Sequence, residues 1–268
     1  MNKKLTDIQN MSDDRGVEIQ KVGVKDVEVP LTVQRKNSDN QIVSAKARLS
    51  VTLPHNFKGT HMSRFIEILS DWEDKSLLGV DIRGLLVEMT DKLQAKKAEA
   101  KFEFKYFIEK MAPVSKKKSL MGYDCSFKGV YKKNGEYKFI LGVKVPVTTL
   151  CPCSKEISDY GAHNQRAIVS ANISYDESNI IWLEDLVEMV ESCASSPLYP
   201  LLKRSDEKYV TEHAYDNPKF VEDVLRDVVL KFREHSGINW FEVDIESLES
   251  IHNHSAWAYQ KESKLSEE

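Results

Sequence analysis

The chain has 268 residues, of which 41% are apolar and 30% charged, enough for one large globular domain or two of roughly 130 residues. Lysine and arginine number 38 against 42 aspartates and glutamates, a formal net charge of −4, so bulk charge excludes a nucleic-acid or anionic-membrane binder but leaves room for a local phosphate pocket. Glycine (11) and proline (8) are scarce, which argues against a long linker or a low-complexity array.

Residues 1–16 read as a loose polar arm. From Val17 the chain reads as extended, with Val22, Val24, Val27, Val29, Leu31 and Val33 alternating on either side of Pro30. A turn cluster at 37–40 leads to a second strand carrying Val43, Ala45, Ala47, Leu49, Val51 and Leu53. The period then changes. Met62, Phe65, Ile66 and Leu69 fall at helical spacing, and Ile82, Leu85, Leu86, Met89 and Leu93 predict a second helix after Asp81. Strands return with Phe102, Phe104 and Phe107, and again over 120–131.

Asn134-Gly135 is a strong hairpin signal. It precedes strands over 137–149 and 168–175. Leu183, Leu186, Val187, Val190 and Ala194 form a helical stripe. Asn217-Pro218 reads as the start of another helix, with Asn as N-cap and Pro at the first helical position. Phe220, Val221, Val224, Leu225, Val228 and Phe232 supply its apolar face. Gly237 stops it, and Phe241, Val243 and Ile245 alternate before a charged tail. Both halves thus read strand–strand–helix–helix–strand–strand, meeting near Asn134–Gly135. This divides the chain into an arm (1–16) and modules at 17–134 and 135–268. The pattern predicts an antiparallel α+β architecture.

No apolar run approaches the ~18 residues that would span a membrane, and residues 1–16 lack the apolar core of a signal peptide. The protein therefore reads as cytoplasmic, where its four cysteines are not expected in structural disulfides. Cys125 and Cys193 stand alone and read as packing. Cys151 and Cys153 flank Pro152 just after a strand, and an extended backbone there would turn both thiols to one face. His163 precedes the next strand of the same hairpin. His252 and His254 are spaced to share a face of an extended segment.

Two further segments stand between bland and functional readings. Lys203, Arg204, Asp206, Glu207 and Lys208 form either a solvated charged loop or a carboxylate ligand with anion-binding cations. Glu222 either complements a helix dipole or binds a ligand. Together the clusters offer thiolate, imidazole and carboxylate, the donors of zinc and related divalent ions. Drawn from distant segments, they suit an open catalytic metal better than a closed zinc finger. Composition and spacing reach a metal-assisted hydrolase or lyase and stop there.

The segments TTLCPCSKEIS (148–158), GAHNQR (161–166), LYPLLKRSDEKYVTEHAYDNPKFVEDVLRD (198–227) and ESIHNHSAWA (249–258), with GTHMSR (59–64), resemble the type IB GTP cyclohydrolase family. The resemblance covers nearly all of the chain beyond the arm. It implies a tunnelling fold of two tandem ββααββ modules with helices on one face of each antiparallel sheet, assembled as a homotetramer. It implies hydrolysis of GTP to 7,8-dihydroneopterin triphosphate and formate, with a zinc, manganese or iron ion.

By motif position, Cys151, His163, His252 and Glu207 look like the metal ligands, His254 like the proton-transfer residue, and Glu222 like the carboxylate that holds the guanine edge. Cys153 lies within the motif without a firm role, and Asp206, Glu212 and Asp223 are neighbouring carboxylates. Lys203, Arg204, Lys208, Arg64 and Arg166 are candidate triphosphate cations. Rival readings are an archaeal-type cyclohydrolase forming a cyclic phosphate, a nitrile reductase on the same fold, and a non-catalytic metal-stabilised module.

Overall fold

A computed structural model describes residues 7–9, 11–72, 79–176 and 178–264. The chain divides into two compact units, one of Met1–Phe104 with Ser126–Ile140, the other of Lys105–Cys125 with Leu141–Glu268.

The first unit contains β1 (Ile19–Val33), β2 (Gln41–Leu53), α1 (Met62–Ser70), α2 (Gly79–Lys92) and the adjoining parts of β3 (Lys97–Met111), β4 (Lys118–Lys132) and β5 (Tyr137–Leu150). Its strands follow the order β1-β2-β3-β4-β5. β1 is the edge strand, so Pro30, which cannot donate to a ladder, faces only one neighbour, β2, opposite Ser44. Ala45, Ala47, Leu49 and Val51 of β2 are buried, as are Ala98, Ala100, Phe102 and Phe104 of β3. Phe107, on the part of β3 that belongs to the second unit, falls out of that phase and is 40% exposed. A one-residue slip would bury Phe107 but lift the whole alternating set into water, and each buried large side chain is worth roughly 1.5–3 kcal/mol.

In α1 the residues that go inside are Phe65, Ile68 and Leu69, while Met62 and Ile66 stay exposed. Ile82, Leu85, Leu86 and Met89 of α2 are fully buried. Gly129 of β4 makes this packing possible. A Cβ there would lie 2.5 Å from Ile82 Cγ2 and 2.8 Å from Leu86 Cδ1. At the β4–β5 turn Gly135 adopts φ +98, the left-handed conformation that glycine accepts freely. Part of the arm is pinned rather than loose. The Lys58 amide donates to Met11 O (3.1 Å), the Gly59 amide to Gln9 O (3.1 Å) and the Asp13 amide to Asn56 O (3.3 Å).

The second unit takes the rest of β3, β4 and β5, then α3 (Pro152–Ile157), β6 (Asn164–Tyr175), α4 (Leu183–Glu191), β7 (Ser196–Pro197), α5 (Arg204–Asp216), α6 (Val221–Glu234), β8 (Ile238–Ser247) and β9 (Ala256–Ser263). The order is β5-β6-β8-β9, with β7 paired to β5. Val145, Val147, Val169, Ala171, Val243 and Ile245 form its buried sheet face, and Val224, Val228 and Phe232 of α6 pack inside with them. The Phe232 and Phe241 rings meet edge to face at 5.6 Å.

A half-buried polar network ties this unit's β3–β4 hairpin to α4. Lys110 Nζ donates to Glu191 (2.6 Å) and to Leu198 O (2.7 Å), and Tyr123 Oη donates to the same Glu191 oxygen (2.9 Å). Cys125 and Cys193 are buried and unpaired, and burial raises both thiols above the usual range, as inert packing residues behave.

The second half departs from the expected element order in three places. The charged stretch at 203–208 opens the helix α5 instead of a loop. Only Asp206 and Ala214 of α5 are buried, so there is no apolar stripe to announce it. Asn217 does not open α6. It is the C-cap of α5, and its side-chain amide donates to Ala194 O and Ser195 O. α6 begins at Val221, where Asp223 Oδ2 accepts from the Phe220 amide (3.0 Å). Finally, the Cys-Pro-Cys segment is not extended, because Pro152 starts α3. Among the described residues no helix is long and apolar enough to cross a membrane.

Candidate active site

The antiparallel order brings the end of β5, the start of β6, the end of β8 and the start of β9 to one end of the second unit's sheet. Leu150 pairs with Asn164, Ala167 with Ser247, and Ser247 with Ala256. The loops leaving these strands and the first turn of α6 surround a cavity of about 260 Å³. Its lining includes Cys151, His163, His252, His254, Glu222 and Lys219.

Cys151 is the N-cap of α3, with its Sγ accepting from the Ser154 amide at 3.3 Å. The Cys151 amide donates to His163 O (3.1 Å). The Ser154 hydroxyl donates to Cys151 O and accepts from the His163 amide, both at 3.2 Å. Backbone and hydroxyl thus hold the main chain of Cys151 against that of His163 before any ligand arrives. Behind them Leu150 is held on both sides, its amide donating to Ser195 Oγ (3.1 Å) and its carbonyl accepting from the Lys219 amide (3.0 Å). Lys219 Nζ reaches Cys193 O (2.8 Å) and Asp227 (2.7 Å). It joins the cysteine segment to the helix that carries Glu222.

His252 and His254 lie in the bend between β8 and β9, not on a strand. Their rings nevertheless stack, with centroids 5.0 Å apart and planes 14° from parallel. The Leu248 amide donates to Arg166 O (2.9 Å) and anchors the bend to β6. On the other side His163 Nδ1 lies 2.9 Å from Gln165 Oε1, and Gln165 Nε2 lies 3.4 Å from Glu249 Oε1.

Cys151, His163, His252, His254 and Glu222 are therefore brought together. Cys153 is not. It is exposed within α3 and absent from the cavity lining, because the helical turn at Pro152 removes the shared face expected of an extended segment. Lys203, Arg204, Glu207 and Lys208 are exposed at the start of α5, and Arg166 is exposed on β6. Arg64 lines a separate cavity of about 170 Å³ in the first unit, beside Thr60, His61 and Gln94, and its guanidinium donates to Lys92 O (3.3 Å).

The neighbouring Asp206 serves a different purpose. Its side chain is fully buried and accepts from the amides of Lys203, Val114 and Ser115, each at 2.8 Å. Burial alone would raise this carboxyl, but the bonds from Ser115, Lys203 and Val114 outweigh it and hold it well below the usual range.

Sequence reasoning passed over Lys219, Gln165 and Glu249. All three lie inside the quoted motifs, Lys219 in 198–227, Gln165 in 161–166 and Glu249 in 249–258. The strand period places Gln165 on the same face as His163.

The donors fit a divalent ion by chemistry, offering one thiol and three imidazoles on a common wall. Among the described residues no three His, Cys, Asp or Glu side chains are gathered closely enough to hold an ion as they stand.

At low sequence identity the architecture matches solved uricases. A uricase from Bacillus fastidious aligns at a TM-score of 0.58 with 9% identity, covering 92% of this chain and 94% of that one. The urate oxidase of Bacillus sp. TB-90 aligns at 0.50 with 10% identity, over 92% and 100%. These likenesses define the class, an α+β tunnelling fold.

Sequence narrows the class to a family. Residues 5–258 match the family described as "Type I GTP cyclohydrolase folE2". The GTP cyclohydrolase FolE2 of Geotalea uraniireducens is 52% identical over 254 residues, 95% of this chain and 92% of the relative. That of Geobacter sulfurreducens is 50% identical over 97% and 99%. That of Thermosipho africanus is 49% identical over 95% and 96%. The chain belongs to the type I GTP cyclohydrolase FolE2 family.

Proposed function

We propose that the protein hydrolyses GTP to 7,8-dihydroneopterin triphosphate and formate, feeding folate synthesis in the cytoplasm. The observation that carries this reading is the cavity lined by Cys151, His163, His252, His254 and Glu222, in a chain about half identical to FolE2 cyclohydrolases along its length. Cys151, His163 and His252 would hold a divalent ion, whether zinc, manganese or iron. Such an ion supplies Lewis acidity that makes water nucleophilic at neutral pH.

The chain's own residues do the rest. Glu222, at the first turn of α6, accepts from the guanine N–H groups. A base lacking those donors would leave the carboxylate unpaired. His254, beside His252, moves protons to and from the imidazole ring of the guanine as it opens. Lys219 keeps Glu222 and Cys151 in register through its bonds to Leu150, Cys193 and Asp227.

A homotetramer is part of the proposal. Glu207, as the fourth ligand, and Lys203, Arg204 and Lys208, as triphosphate cations, all sit on the exposed start of α5. Arg64 and Arg166 are the other cations, and association of copies would bring such groups to a site. The division into an arm (1–16) and modules at 17–134 and 135–268 belongs to the same reading, supported by the ββααββ order of the first half.

Metal content and turnover of three variants test the site. Cys151→Ala and His252→Ala lose the ion, whereas His254→Ala keeps it and loses turnover by roughly 100-fold or more. Release of the ion from His254→Ala would overturn the division of roles.

A further inference from the structure

We infer that Gln165 and Glu249 form a relay that fixes which nitrogen of His163 carries the proton and leaves Nε2 bare for a cation. The inference rests on the proposed ligand role of His163 and adds the residues that prepare it. They act through His163 and are positioning residues.

A carboxylate only accepts, and an uncharged glutamine amide accepts at one end and donates at the other. Glu249 Oε1 lies 3.4 Å from the Gln165 amide nitrogen, so Glu249 takes the donating end. That leaves the Gln165 carbonyl facing His163 Nδ1 at 2.9 Å. A carbonyl also only accepts, so Nδ1 must carry the hydrogen. In neutral imidazole the other nitrogen then holds the lone pair. Turning the glutamine over would set its carbonyl against the Glu249 carboxylate, two acceptors in contact.

The fold holds all three residues in place. His163 and Gln165 lie two apart along an extended backbone and share a face. Gln165 is paired opposite Thr149 on β5. The Leu248 amide bonds Arg166 O at 2.9 Å, which delivers Glu249 to the side of Gln165. Donation from Nδ1–H to an acceptor also raises the basicity of the opposite nitrogen, as outer partners of metal-bound histidines do.

The test is the tautomer of His163 in metal-free, full-length protein labelled with 15N-histidine. Long-range 1H–15N spectra are recorded near about pH 8.5, well above the ordinary histidine value of about 6.5. The wild type shows Nδ1–H. Gln165→Leu loses that preference and weakens zinc binding roughly 10–100-fold in competition with a chelator. The exchanged pair Gln165→Glu with Glu249→Gln restores both readings, because an acceptor again faces His163 and a donor again joins positions 165 and 249. Wild-type His163 in the Nε2–H form would overturn the relay without any variant. A Gln165→Leu protein with unchanged tautomer and affinity, or a folded exchanged pair that restores neither, would overturn it too. Failure of the ligand reading looks different: His163→Ala would bind zinc as tightly as the wild type, while the wild-type tautomer stays Nδ1–H.

Discussion

At the scale of single residues, neighbours in sequence take opposite parts. Asp206 and Glu207 are adjacent carboxylates, yet Asp206 is fully buried under three amide donors and Glu207 faces solvent. Asp206 ties the 114–115 turn to the start of α5. Its folded pKa lies below the ordinary aspartate value, so its contribution to stability is fully present above that value. It is lost as pH falls through the carboxylate range toward the lowered folded pKa. Asp206→Asn should therefore melt below the wild type at pH 7, with the gap narrowing as the buffer is taken toward pH 2. A gap that stays constant with pH would show that the charge is not what Asp206 contributes.

Cys151 and Cys153 divide in a similar way. A proline after the first cysteine makes it a helix cap and turns the second to solvent. That outcome was encoded, since proline is favoured at the first helical position, but the pull of two thiols toward one ion concealed it.

At the scale of elements, periodicity reported what is buried and was silent where little is. β1, β2, α2 and β8 were legible because their apolar sets repeat at two or near 3.6 residues against a core. α5 was not, since its burial amounts to Asp206 and Ala214. The start of α6 was misplaced because Asn217-Pro218 satisfies the local rule for a helix start, while Asn217 is already bound to Ala194 and Ser195 as the end of α5. Tertiary bonds outranked local propensity there.

The seating of α2 on β4 gives a sharper test of packing. With Ile82 and Leu86 both fully buried, neither can move aside for a Cβ at Gly129. Gly129→Ala should cost about 1–3 kcal/mol, read as a lower urea midpoint with unchanged slope. A neutral result would mean that α2 shifts on the sheet more easily than its burial indicates.

At the scale of the whole molecule, the donor chemistry was visible in sequence but its arrangement was not. Cys151 and His163 share a hairpin, so their proximity could be read from chain order. His252, His254 and Glu222 reach the same cavity only because β8 lies beside β6 and α6 begins next to Leu150. Those are long-range pairings that no local pattern encodes. Glu249 was missed for the same reason, since it meets Gln165 only across that pairing, whereas Gln165 was readable from the period of two that puts it beside His163.

The net charge of −4 does not oppose a polyanionic nucleotide, because steering depends on the local field of a site and not on the sum over the chain. The central claim is a ring-opening hydrolysis of GTP, and its products test it directly. Protein reconstituted in turn with zinc, manganese and iron is incubated with GTP, and formate is measured beside the fluorescence of the oxidised pterin. The account predicts both products in equal amounts with at least one ion and neither from the Cys151→Ala protein, and absence of both with all three ions would contradict it.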